Sequence, residues 1–281
     1  LRAPIYLTDS AVFFHYAGLL YNNSLNPYNY NMLDGLKILN IPDYISTKLN
    51  NGERLNKFTY PPGAFIFSGL LLKIGVKDLR YPALWFMLAI FLISSLLIKK
   101  NIFKLLFILS FFANTSIIWL TINSLLEPFW TIFVYISYLF LTSKILLINN
   151  DLNNEAPRSK SHFLLEIIII FFSAISLAIA VSIKQTAFYC AAFLVIYAYK
   201  KLQIKNFVYF ICIFSFSLFL INGYYFFNNY HIISNIFLPA IDLPLVSFSF
   251  SKLNYYMPNL TRELFLYMQI ALTLFLLIFF L

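Results

Sequence analysis

Asp9 is a lone carboxylate in LTDSAVFFHYAGLL, at the head of an apolar run with helical spacing at Ala11, Phe14, Ala17 and Gly18 that ends at Asn22 and Asn23. A carboxylate so placed can take a proton from a hydroxyl nucleophile. It can equally cap the helix, since Thr8, Asp9 and Ser10 are all good N-caps. Glu127 stands before Pro128 in NSLLEPFW, where its charge also suits a helix N-terminus. Lys184 and Gln185 interrupt two apolar runs in AVSIKQTAFY, and Arg262 precedes the last one. An ammonium or a planar guanidinium recognises phosphate oxygens, although a Lys at a membrane surface also simply snorkels. His15 and His231 read first as hydrogen-bonded interfacial residues. No two of the three histidines have metal-ligand spacing and the acids are scattered, so no metal site is expected. A Walker or dinucleotide glycine motif is absent from a chain with seven Gly, so no nucleotide cofactor is expected either.

The elements that must position these groups follow from composition. Of 281 residues, 61% are hydrophobic, 20% aromatic and 11% charged, which excludes both an ordinary soluble domain and a disordered chain. The expected fold class is all-α, a polytopic transmembrane helical bundle forming one domain over residues 1–281. Cys190 and Cys212 lie inside apolar runs and predict no disulfide.

Seven stretches approach the ~20 residues that cross a bilayer. They are Pro82 to Ile98, Leu105 to Ile122, Pro128 to Ile148, Phe163 to Ile183, Thr186 to Tyr199, Phe207 to Phe227 and Leu264 to Leu281. The inner linker 149–161 is polar and predicts a flexible connection. Short loops after the first, third and fifth spans carry Lys99, Lys100, Lys104, Lys144, Arg158, Lys160, Lys200, Lys201 and Lys205, whereas the alternate short loops carry only Lys184. Nine against one places the basic loops in the cytoplasm. Residues 1–81 are then a long extracytoplasmic loop with interfacial helices, provided that Pro62 to Val76 does not cross. A further apolar segment is expected before Leu1. The same outer face receives the turns Asn123 to Glu127 and Ile183 to Thr186 and a second long loop, Asn228 to Thr261. The net charge of +9 thereby becomes mainly a topological signal, and no nucleic-acid partner is expected. Asn22-Asn23-Ser24 and Asn259-Leu260-Thr261 are glycosylation triplets on this face.

In the first loop, Asp9 and Gly18 are followed by Asn26, Pro27 and Tyr28, and then by Tyr60, Pro61 and Pro62 leading into an apolar helix. Singly these are turn signals. In this order they resemble the C superfamily of multispanning glycosyltransferases, enzymes that use polyprenyl-phosphate sugars, and most of all its mannosyl- and arabinosyl-transferase-like branch. The likeness is carried by the first loop. It implies an integral membrane enzyme, in the cell membrane or the endoplasmic reticulum, that moves a hexose such as mannose from a polyprenyl or dolichyl phosphate to a glycan or lipid acceptor on the extracytoplasmic side, with inversion. Asp9 would be the catalytic base, Glu127 would position the acceptor or tune Asp9, and Lys184 and Arg262 would hold the donor phosphate. His15, Asn26, Tyr28, Tyr60, Gln185 and His231 are the accompanying substrate-binding candidates. Relatives frequently show Asp or Gly-Gln in the turn that here carries Glu127, a departure from the pattern.

Two other classes compete. A transporter or lipid flippase would place polar groups at the bilayer midplane, where Asn114 and Gln269 are candidates and Glu166 lies near a predicted cytoplasmic end. A non-catalytic membrane subunit predicts that Asp9, Glu127 and Lys184 do not converge, lying more than about 15 Å apart, beyond reach of a common substrate.

Overall fold

The structure, a computed structural model, describes residues 6–49, 52–113, 126–153, 160–229 and 231–236. Those residues are helical, with no strand beyond an isolated bridge between Lys48 and Arg54. The helices are α1 (Asp9–Asn22), α2 (Leu33–Ile38), α3 (Pro62–Lys73), α4 (Arg80–Leu97), α5 (Asn101–Ala113), α6 (Leu126–Asn153), α7 (Lys160–Ile183), α8 (Ala187–Lys201) and α9 (Ile204–Asn228).

Among the described residues three helices are long and apolar enough to cross a membrane: α4, residues 164–183 of α7, and α9. This is fewer than the seven expected spans. At 15 residues α8 falls short of about 17, and α5 reaches the edge of the described residues at Ala113. Helix α6 has 28 residues and continues through Asn153 into the expected linker. The run from residue 114 to Ile122 and the last expected span lie outside the described residues, as do Asn114, Gln269 and Arg262. Helix α7 is central, with 56% of its apolar window buried against 11% for α4 and α9. Leu88, Leu92 and Leu96 on α4 and Phe216, Phe219 and Leu220 on α9 are exposed. Such apolar faces suit hydrocarbon and would be unusual in water.

Small residues let the helices approach α7 closely, as bilayer packing favours. Ala174 and Ala178 are buried there, and the Ser137 and Ser173 hydroxyls of α6 and α7 meet 3.0 Å apart. Asn222 of α9 donates to Ser182 Oγ of α7 at 2.7 Å. Cys190 and Cys212 are free thiols.

The first loop folds onto one end of this bundle. Helix α1 starts at Thr8, whose extended backbone and Oγ1, accepting from the Ala11 N–H, make it the N-cap. Asp9 is therefore the first residue of the helix and leaves the cap to its neighbour. The expected amphipathic interfacial helix is corrected: residues 11 to 18 of α1 are all buried. A helix apolar all round is stable only when covered on every side, and α2, α3 and the 40s segment supply the cover. Helix α3 begins with Pro62 at its first position and ends before Gly75, whose φ of +92° suits the left-handed C-terminal turn. Its 12 residues span about 18 Å, too short to cross the hydrocarbon. It packs on α1 where Gly18 meets Ser68 and Gly69. An aromatic cluster of Phe14, Phe67, Phe86, Phe129 and Phe133 then ties α1, α3, α4 and α6 together.

Candidate functional site

Asp9 lies where α1 begins, 8% exposed. Its Oδ1 accepts the Ser10 N–H at 2.8 Å and its Oδ2 the Thr47 N–H at 2.7 Å. Thr47 sits in a tight reversal closed by Leu55 N–H to Thr47 O and Leu49 N–H to Glu53 O, and Arg54 braces it by donating to Ser46 Oγ at 3.0 Å. The carboxylate is thus held from two sides. Each oxygen accepts one bond here and has a second lone pair for a hydroxyl proton.

Tyr60 approaches from the other side. Its hydroxyl donates to Ser10 Oγ at 2.7 Å. Burial pushes the phenol well above its ordinary pKa, the Ser10 bond opposes this, and the negative charges of Asp9 and Glu127 push it further up. Tyr60 stays a proton donor at physiological pH, and its hydroxyl lies within the field of both carboxylates. The segment before Pro61 holds this pose because Tyr28 donates to the Tyr60 carbonyl at 2.6 Å, with the Tyr28 ring edge-on to Phe58 and Phe65.

Glu127, one residue into α6, forms an ion pair with Lys184, which follows the last residue of α7. The Lys184 side chain is 13% exposed and that of Glu127 31%. The two candidates therefore act as a unit, with the Lys positioned by the Glu. Gln185, in the same turn, donates to the Ile236 carbonyl at 3.4 Å, and its Oε1 is buried without a hydrogen-bond partner among the described residues. Removing one partner of a largely buried ion pair leaves an uncompensated charge. Glu127→Gln is expected to lower stability by about 1–3 kcal/mol, toward the low end of buried pairs because Glu127 is partly exposed. Adding Lys184→Met should recover part of that loss, read from thermal unfolding of the single and double variants in detergent. A double variant as unstable as the summed singles would show that the pair is not coupled.

No family model, curated protein or solved structure matches this chain.

Of the expected site residues, Glu127 pairs with Lys184, and the charges of Asp9 and Glu127 both reach the Tyr60 hydroxyl, with Tyr28 supporting Tyr60 from behind. Asn26 stands apart, capping a short turn by accepting the Tyr28 N–H. His231 is exposed beyond α9, its N–H donating to Asn229 Oδ1 at 3.0 Å. His15 is buried and tied to the base of α4. Its Nδ1 meets the Tyr6 hydroxyl at 2.7 Å, Tyr6 also accepts the Leu79 N–H, and Arg80 lies over the Tyr6 ring while pairing with Asp78. Burial drives the His15 pKa down to about 4, against the smaller upward pull of Asp78.

The unfolded chain takes up a proton near pH 6.5 while folded His15 refuses it until about 4. Stability is therefore present above pH 6.5 and is lost as pH falls toward 4, by about 3 kcal/mol in all. Thermal midpoints of the wild type and His15→Gln between pH 7 and 4 check this, and the variant should lack that component of acid sensitivity.

Ser10 and the Thr47 N–H were not singled out by the sequence. Ser10 had a signal, its place beside Asp9, but its partner is 50 residues away. No signal exists for a backbone N–H. Among the described residues no group of three His, Cys, Asp or Glu side chains is close enough to hold a metal ion.

Proposed function

We propose that this chain is a membrane-embedded glycosyltransferase that moves a hexose from a polyprenyl-phosphate donor to a hydroxyl of a glycan or lipid, with Asp9 as general base. The observation that supports it most is that the Tyr60 hydroxyl, bonded to Ser10 beside Asp9, lies in the field of both Asp9 and Glu127, and that Glu127 in turn holds Lys184.

In this reaction the acceptor oxygen bonds to the anomeric carbon as the bond from that carbon to the phosphate oxygen breaks. The acceptor proton passes to Asp9 and the lipid phosphate leaves as an anion. One direct displacement inverts the anomeric centre. The phosphate is already a good leaving group, so a single well-placed base suffices on the acceptor side. Lys184 has three N–H donors, of which Glu127 engages one, and the others suit phosphate oxygens. Charge that develops on the departing phosphate is stabilised by an ammonium already held in place. Arg262 is assigned the second phosphate contact. The extracytoplasmic location of the site is part of the proposal and rests on the distribution of basic loops.

The test is transfer by purified protein in nanodiscs, supplied with synthetic polyprenyl-phosphate hexoses and oligosaccharide acceptors. An inverted glycosidic product is expected, and Lys184→Met should raise the donor KM by about 10-fold or more, the size of one lost charged hydrogen bond. The proposal is abandoned if no donor in the series yields product.

A transporter draws support from the buried Ser137–Ser173 and Ser182–Asn222 contacts inside the bundle. It predicts substrate flux in liposomes that contain no sugar donor.

A further inference from the structure

At the opposite end of α1 from Asp9, an open cleft of about 540 Å³ lies between the ends of α1, α3 and α9. Its size is that of a small-ligand pocket. The 14 residues of α1 separate it from Asp9 by about 20 Å. We infer that this cleft is a saccharide-binding site separate from the Asp9 centre.

Three asparagines stand in its wall, each with one end of its amide engaged by the fold. Asn22 Nδ2 donates to the Gly69 carbonyl at 2.9 Å, and Asn228 Nδ2 donates to the Tyr224 carbonyl at 2.8 Å. Both leave a side-chain oxygen, an acceptor. Asn26 Oδ1 accepts the Tyr28 N–H at 3.1 Å, which leaves an NH2, a donor. The amides are pinned in orientation before any ligand arrives, and the wall mixes acceptors with donors. An inorganic anion can use only donors. A ligand that satisfies both kinds must itself carry donors as well as acceptors; each hydroxyl supplies both, and a sugar carries several on each ring.

The remaining wall agrees. Tyr21, Tyr224 and Tyr225 line the same cleft, Tyr224 being 70% exposed and edge-on to Tyr225 with centroids 5.1 Å apart. Aromatic faces present a negative surface that attracts the polarised C–H groups of a pyranose, and the phenol hydroxyls add both donor and acceptor capacity. No carboxylate lines the cleft, and Lys73 is the one formal charge among its lining residues, so the ligand is neutral or weakly acidic. The walls are also braced: Asn22 ties α1 to α3, and Asn229 Nδ2 donates to Asn29 Oδ1 at 3.1 Å, joining the end of α9 to the Asn26 turn. This preorganisation lowers the ordering cost of binding. In a sugar-transferring enzyme the cleft would hold acceptor rings distal to the reacting hydroxyl, but its binding does not depend on Asp9 being a base.

The test uses the full chain in nanodiscs over an array of neutral hexose and N-acetylhexosamine oligosaccharides, followed by Kd measurement on the strongest binder. Binding is expected that weakens at least 10-fold in Tyr224→Ala and in Asn228→Leu, with unchanged thermal midpoints, and that persists in Asp9→Asn. Absence of binding across the array, binding indifferent to both cleft variants, or displacement of the oligosaccharide by inorganic phosphate would each overturn the inference. Loss of transfer in Asp9→Asn with retained oligosaccharide binding separates this site from the proposed catalytic one.

Discussion

Asp9→Asn is expected to reduce sugar transfer by about 10²–10⁴-fold, the usual contribution of a positioned general base. The substitution keeps the shape of the side chain and one acceptor oxygen, so either the Ser10 or the Thr47 N–H retains its partner. The other loses a hydrogen bond, at a cost of about 1 kcal/mol, small enough for the fold to survive. The amide nitrogen cannot take a proton, so the fall should appear in kcat, with donor KM close to that of the wild type. Asp9→Glu retains the charge but lengthens the side chain in a site where Thr47 and Ser10 fix both oxygens, and it should recover only part of the rate. Full transfer by the Asn variant would remove Asp9 from the mechanism and leave Tyr60 and Glu127 to be tested as bases.

The largest expected effect on stability belongs to Gly63→Ala. A Cβ at this position would lie 2.6 Å from the Ser182 carbonyl oxygen and 2.7 Å from its carbonyl carbon. Those are main-chain atoms in the last turn of α7, fixed by the chain on both sides, and cannot swing aside as a side-chain tip can. Helix α3 must withdraw from α7, which disturbs the Phe65–Tyr225 contact and the Tyr60 segment just before the helix. Overpacking of this kind costs about 3 kcal/mol or more. The thermal midpoint in detergent should drop, with loss of activity at temperatures where the wild type is stable. Gly75→Ala is the contrast, because nothing lies within 4 Å of the added Cβ and only the φ of +92° opposes it. That cost is about 1–2 kcal/mol. Equal effects of the two substitutions would mean that the α3–α7 approach is looser than the structure has it.

Several features of the fold were legible one residue at a time. Pro62 announces a helix start, because its ring presets φ and it has no N–H to waste at a first turn. The turn chemistry of Asn26 and Pro27 yields the short helical turn that carries Tyr28. Thr8 was one of three equivalent caps, and only the backbone geometry chose it. Helix boundaries were less legible where charged residues sit inside a long helix. The polar stretch after Ile148 reads as a linker, yet α6 runs on through Asn153 because each added residue gains a backbone hydrogen bond.

The site divides in the same way. Asp9, Glu127, Lys184 and Tyr60 were visible because an ionisable or turn-forming residue beside an apolar run is conspicuous. Their connections were not. Asp9 to Thr47, Ser10 to Tyr60 and Glu127 to Lys184 are separated by 38, 50 and 57 residues, and no periodicity encodes such pairs. The apolar spacing of residues 11 to 18 specified a helix with a face to bury. Whether one face or all were buried depended on the chain after it wrapping α1, a matter of packing between distant segments. What the sequence by itself determined was an all-helical, strongly apolar chain and which polar groups it carries to the helix ends, because burial and backbone hydrogen bonding act locally. Only the tertiary structure decided which of those groups meet, since a partner across the bundle is chosen by how closely the helices approach, and that closeness is set at Gly18, Gly63 and the small residues of α7.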